Sequence, residues 1–144
     1  MTGRLPGVSE TRWRVNYSET DQMGVVYHAR YLVWLDVART EHLRCTGLSY
    51  ADLERRGFRL AVGELRIRYR QPARYDDDVR IRCWVRDAAS RRIVFGYALD
   101  AAGGPLLATA ETAMMVLDAG LRLARLPAEV VQLLPVAPDP VRLF

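Results

Sequence analysis

Tyr17–Glu41 reads YSETDQMGVVYHARYLVWLDVARTE, and its reading decides the fold. Before it, Thr11–Tyr17 alternates, with Trp13, Val15 and Tyr17 on one side and Arg12, Arg14 and Asn16 on the other. That period of two predicts a half-buried strand. After it, Tyr31, Trp34, Leu35, Ala38, His42 and Cys45 recur at the spacing of one helix face. A helix is therefore predicted over 29–46, with Leu32, Val33 and Val37 widening an apolar surface that the rest of the chain should enclose. Between the two lies a polar turn. Asp21 sits in it, Gly24 lets it bend, and His28 stands where the helix should begin.

Beyond the helix, Gly47 is a suitable stop. Ser49-x-x-Asp52 predicts a capped second helix that ends at Gly57. Period-two alternation then dominates over 60–70, 79–86 and 91–100, and a long apolar strand is predicted over 106–118. Polar or Gly-rich turns separate these strands, and short turns imply antiparallel neighbours. Pro127 suits the first turn of a short terminal helix over 126–134. Residues 1–10 are expected to form a loose arm, and the proline-rich end an extended segment. The order strand, helix, four strands predicts an α+β domain in which one long helix covers a mainly antiparallel sheet. The expectation is one domain over 1–144, with a core at about 11–118 and an extension at 119–144.

The 144 residues are half hydrophobic and 26% charged, a composition of ordinary globular domains. No apolar run reaches the ~18–20 residues of a membrane span. The N-terminus has no basic-then-apolar leader, so a cytoplasmic location is expected. Cys45 and Cys83 form no CxxC, which argues against a metal centre and for two buried, reduced thiols. All 21 basic residues are arginine and the net charge is +4. Arginines at 66, 68, 70, 80, 82 and 86 predict an exposed or subunit-facing sheet surface. Only Trp84 is interleaved with them, where a single-strand binder needs several aromatics, so nucleic acid is not expected as a partner.

The string Tyr17-x-x-x-Asp21-x-x-Gly24-Val25-Val26-Tyr27-His28-x-x-Tyr31, followed by Ala38-Arg39-Thr40-Glu41, resembles the hotdog-fold acyl-CoA thioesterases. Tyr69-x-x-Pro72-Ala73-x-x-Asp76-Asp77 extends the resemblance, which covers about residues 11–118 and is nearest to the YbgC/4-hydroxybenzoyl-CoA thioesterase family. The resemblance implies a five-stranded antiparallel sheet wrapped around one central helix. It implies Asp21 as the catalytic carboxylate, the backbone N–H of His28 as the group polarising the thioester carbonyl, and Tyr17 and the His28 ring as neighbours. It further implies an acyl-CoA substrate, no separate cofactor, and a homo-oligomer, with a dimer as the minimal unit and a tetramer as the expected assembly. Asn16 departs from relatives that carry a second tyrosine there.

The chemistry is consistent with those residue types. A helix start offers unpaired N–H groups and partial positive charge to an oxyanion. A carboxylate serves as nucleophile or as general base on water. Gly24, Val25, Tyr27 and Tyr31 are the expected substrate contacts. Arg91 and Arg92, opening a strand beside a turn, are expected to meet the phosphates of coenzyme A. His42 lies on the apolar helix face and is read as packing. Glu41 is read as an ion-pair partner. A dehydratase of 3-hydroxyacyl thioesters would share the fold, but a His-Phe-Pro type motif is absent. A domain that binds an acyl thioester without turning it over is the third reading.

Overall fold

The computed structural model describes residues 5–144. Strand β1 (Val8–Arg14) leads through a 3-10 turn (Tyr17–Glu19) to helix α1 (Arg30–Cys45) and helix α2 (Tyr50–Arg55). Strands β2 (Phe58–Tyr69), β3 (Asp78–Ala88), β4 (Arg92–Ala101) and β5 (Leu106–Asp118) follow, then a one-turn helix α3 (Ala128–Val131). The five strands form one antiparallel sheet in the order β1-β3-β4-β5-β2. This is the α+β arrangement the sequence predicts. β1 begins at Val8, so three residues of the expected arm are strand, and the arm's first four residues lie outside the described residues.

Alternation sorts the sheet into two faces. Val79, Ile81, Cys83 and Val85 of β3 and Ile93, Phe95, Tyr97 and Leu99 of β4 point inward. There they meet Tyr31, Trp34, Leu35 and Ala38 of α1, all buried in one core. Helix α1 is less enclosed than its composition predicts, because Leu32 and Val33 are exposed. Cys45, expected to be buried, is exposed at the end of α1, while Cys83 is buried. Arg39, also on α1, is buried and donates to Tyr50, Tyr97 and Asp36, a set that satisfies a charge which would otherwise be costly to bury.

The outward face carries the alternating arginines; Arg66, Arg68 and Arg70 of β2 are exposed as expected, whereas those of β3 are half-buried and paired. Arg80 pairs with Asp100 and Glu10, and Arg86 pairs with Glu111 and Asp139. The C-terminal segment runs across this face. Ala137 donates to the Val85 carbonyl, Asp139 accepts from Trp84 Nε1 at 2.9 Å, and the Phe144 ring lies 3.8 Å from the Arg66 guanidinium. The expected extended segment is thus a docked strap over a second, smaller core of Val8, Trp84, Ala98, Ala137 and Leu143. The short terminal helix is confined to four residues.

The link between β2 and β3 is not a hairpin. β2 lies at one edge beside β5, whereas β3 lies between β1 and β4. Residues 70–77 must therefore cross the end of the sheet. The crossing is pinned at both ends: Arg70 and Gln71 donate to the Leu107 carbonyl, and Asp76 donates to the Val15 carbonyl. This crossover brings a third segment to the turn that precedes α1.

Candidate active site

The turn between β1 and α1 is built on backbone bonds. Asp21 N–H donates to the Val25 carbonyl, Gly24 N–H donates to the Asp21 carbonyl, and Thr20 bridges Val26. Gly24 has φ 77°, a left-handed conformation that suits glycine. The Asp21 side chain closes the turn on itself: Oδ1 accepts from Met23 N–H at 2.9 Å. The other carboxylate oxygen, Oδ2, accepts no hydrogen bond among the described residues.

Glu19 anchors this turn from below. It is only 5% exposed. Oε1 accepts from Trp13 Nε1 and Asn16 N–H, and Oε2 accepts from Trp34 Nε1 at 2.7 Å. Its carbonyl accepts from Tyr27 N–H. Strand β1, the turn and helix α1 are thus joined at one buried carboxylate.

The crossover closes the other side. Ala73 accepts from Val26 N–H at 2.8 Å and donates to the Tyr31 hydroxyl at 3.1 Å. At the end of β2, the Tyr69 hydroxyl donates to the His28 carbonyl at 2.7 Å. Burial pushes the Tyr31 and Tyr69 hydroxyls above their ordinary range, so both remain protonated near neutral pH. A cavity of about 290 Å³ results, lined by Asp21, Met23, Val25, Val26, His28 and Tyr31 from the first segment. Tyr69, Arg70, Gln71 and Pro72 complete it.

His28 stands two residues before the first residue of α1, with Ala29 as N-cap. Its own N–H meets no acceptor among the described residues. Two residues that line one cavity, Asp21 and His28, therefore carry a carboxylate oxygen and a backbone N–H without partners among the described residues. Such a pair can polarise a carbonyl and deliver an oxygen nucleophile to it.

Not every expected residue joins them. Tyr17 is 77% exposed and packs edge-on against Tyr75, away from the cavity lining. Tyr27 packs on the His28 ring at 4.5 Å but does not line the cavity either. Gly24 shapes the turn without lining it. Arg91 and Arg92 border a different depression, of about 430 Å³, together with Met115, Leu123, Ala124 and Arg125. Within one chain they do not meet Asp21. Sequence reasoning missed Glu19, Met23, Tyr69, Arg70 and Gln71 as residues of this turn and cavity. The Tyr69-x-x-Pro72-Ala73 string was the one available signal. His42 is buried as expected, with Nδ1 2.8 Å from Ser9 Oγ.

Comparison with known proteins adds four findings. A family profile described as the thioesterase-like superfamily matches residues 15–134. The chain is 36% identical to YneP of Bacillus subtilis over 77% of this chain and 80% of that protein. It is 35% identical to the acyl-CoA thioester hydrolase YbgC of Escherichia coli, over 74% and 81% respectively. A hypothetical protein of Thermus thermophilus superposes with a TM-score of 0.82 at 40% identity, covering 88% of this chain and 96% of that one.

Proposed function

The chain belongs to the thioesterase-like superfamily, and from that premise we propose that it hydrolyses acyl-CoA thioesters to a carboxylic acid and coenzyme A. One observation carries the reading: Asp21 and His28 line the same cavity, and among the described residues neither Asp21 Oδ2 nor the His28 N–H has a hydrogen-bond partner. The sheet and helix have the hotdog arrangement that the resemblance implies.

In this reading the thioester carbonyl lies against the N–H groups of the turn before α1. These donors are fixed before substrate arrives, so stabilising the oxyanion needs no reorganisation. Asp21 Oδ2 either attacks the carbonyl carbon, giving a mixed anhydride that water then cleaves, or takes a proton from the attacking water. In both routes the C–S bond breaks, coenzyme A leaves as thiolate and is reprotonated from solvent. The reaction draws on no cofactor beyond the coenzyme A of the substrate. Val25, Val26 and Tyr31 supply the apolar wall for the acyl group.

We further place the phosphates of the substrate at Arg91, Arg92 and Arg125. No carboxylate lines that depression, and the three guanidiniums suit a polyanion. It is distinct from the Asp21 cavity in one chain, which favours a homodimer in which one protomer binds the acyl end and its partner the nucleotide. The free edge of β2 supports this, because Val62, Leu65 and Tyr69 are exposed along it. A tetramer would be a pair of such dimers. A coenzyme A substrate implies a cytoplasmic site of action.

The test is a thiol-release assay over acyl-CoA chain lengths and benzoyl-CoA. Release of free thiol with an unchanged acyl skeleton is the expected result. An enoyl product without thiol from a 3-hydroxyacyl-CoA would make the protein a dehydratase. Binding without any thiol release over the panel would make it a binding module.

A further inference from the structure

The hydroxyl of Tyr69 has no part in the chemistry above, yet among the described residues it makes the one side-chain hydrogen bond to the peptide that follows His28. We propose that Tyr69 is a positioning residue of this site: its hydroxyl holds the His28 carbonyl, and with it the backbone of the residue whose own N–H is placed to receive the thioester carbonyl. The inference rests on the thioesterase reading and adds to it a residue that acts through the turn.

The geometry is specific. Tyr69 OH lies 2.7 Å from the His28 carbonyl oxygen. A trans peptide is planar, with its N–H opposed to its C=O. Holding the His28 oxygen therefore also sets the direction of the Ala29 N–H. Ala29 N–H, like that of His28, meets no acceptor among the described residues. Donation to the carbonyl also polarises the peptide and makes its N–H a stronger donor.

Tyr69 is itself held firmly. It is the last residue of β2, paired with Ala108, and the next two residues both donate to the Leu107 carbonyl. Its ring stands edge-on to Tyr31, with centroids 5.1 Å apart, and edge-on to His28 at 6.4 Å. Tyr31 is fixed in turn by the Ala73 N–H. A phenylalanine would keep all of these ring contacts, so packing does not account for the hydroxyl. The ring is 44% exposed, and its hydroxyl could have turned to water. Its use on the peptide of the turn is what the inference explains.

Tyr69→Phe removes only the hydroxyl. Deleting a direct oxyanion donor costs about 10²–10³ in rate. A donor that acts through a peptide should cost less, about tenfold in kcat, with KM changed less than about twofold and the melting temperature retained. A second readout needs no turnover: the acyl-CoA analogue with CH2 in place of sulfur, ¹³C-labelled at its ketone carbon. Bound to wild type, its resonance should move downfield as the carbonyl is polarised, and Tyr69→Phe should lose part of that shift. Equal kcat and equal ketone shift in the two proteins would overturn the role of Tyr69 alone. So would a raised KM with an unchanged ketone shift. A wild-type protein that neither releases thiol nor shifts the bound ketone would instead overturn the thioesterase reading, and the inference with it.

Discussion

Trp34 donates its indole N–H to Glu19 Oε2 across 2.7 Å, and Trp13 donates to Oε1 of the same carboxylate. Two large rings from different elements thus end on one buried acid. The helix cannot rotate, nor the turn lift, without orphaning a buried donor. Glu19→Gln replaces one acceptor oxygen with an NH2 that confronts an indole N–H. An unsatisfied buried donor costs about 1–3 kcal/mol. Urea denaturation should show a loss in that range, with turnover reduced as well, because Tyr27 and the start of α1 hang from the same residue. Unchanged stability would show that the carboxylate is not the anchor.

Asp21→Asn should keep the fold, because the amide oxygen can still accept from Met23 N–H and close the turn. Thiol release should fall by about two orders of magnitude or more, the scale on which loss of a core catalytic group is felt. His28→Ala removes the ring but keeps the backbone donor. It should cost far less than Asp21→Asn, and a comparable loss would move the role from backbone to ring.

His42 titrates out of line because burial pushes its imidazole below the ordinary value of 6.5. The unfolded chain gains a proton on this residue as pH falls through 6.5, while the folded chain holds it neutral. Stability is therefore full above that pH and declines below it, by at most about 1.4 kcal/mol per pH unit. Chemical denaturation at pH 7.5 and 5.5 should show the decline. His42→Gln can keep a bond to Ser9 and should flatten it.

Gly96 sits under the indole of Trp84, where an added Cβ would lie 2.6 Å from a ring carbon. Trp84 cannot swing away, because its Nε1 is bonded to Asp139 of the C-terminal strap. Gly96→Ala should destabilise by about 1–3 kcal/mol, as overpacking does. Pairing it with Asp139→Ala should relieve part of that loss, since the indole is then free to move. Strict additivity of the two would refute the clamp.

Val62→Lys places a charge on the exposed edge of β2. If the edges of two β2 strands join, the variant should sediment as a monomer at concentrations where wild type is dimeric. The Arg91–Arg92–Arg125 depression would then be separated from the Asp21 cavity, and KM for acyl-CoA should rise.

Much of this was legible in the residues. Period two in 79–86 and 91–100 placed Ile81 and Phe95 inward correctly, and the i, i+3, i+4 spacing placed Trp34 and Ala38 in the core. Asp21 and His28 stood out because a strand, a turn and a helix start succeed one another there. What was hidden is non-local. Nothing near Glu19 says that two indoles 6 and 15 positions away will end on it. The arginines of β3 read as a bare surface because their partners Asp100, Glu111 and Asp139 come from later in the chain. The pairing of β2 with β5 rather than β3 is likewise set by the whole sheet, and with it the route of residues 70–77. Leu32 and Val33 show the limit of periodicity, which marks an apolar face but not what covers it.

The crossover from β2 has one more consequence. The strand whose outer edge is free ends at the residue that grips the His28 carbonyl. Whatever seats itself on that edge shares a rigid element with the reaction centre. If a second copy is what seats there, specific activity per milligram should drop as the protein is diluted, and the catalyst would carry a built-in reading of its own concentration.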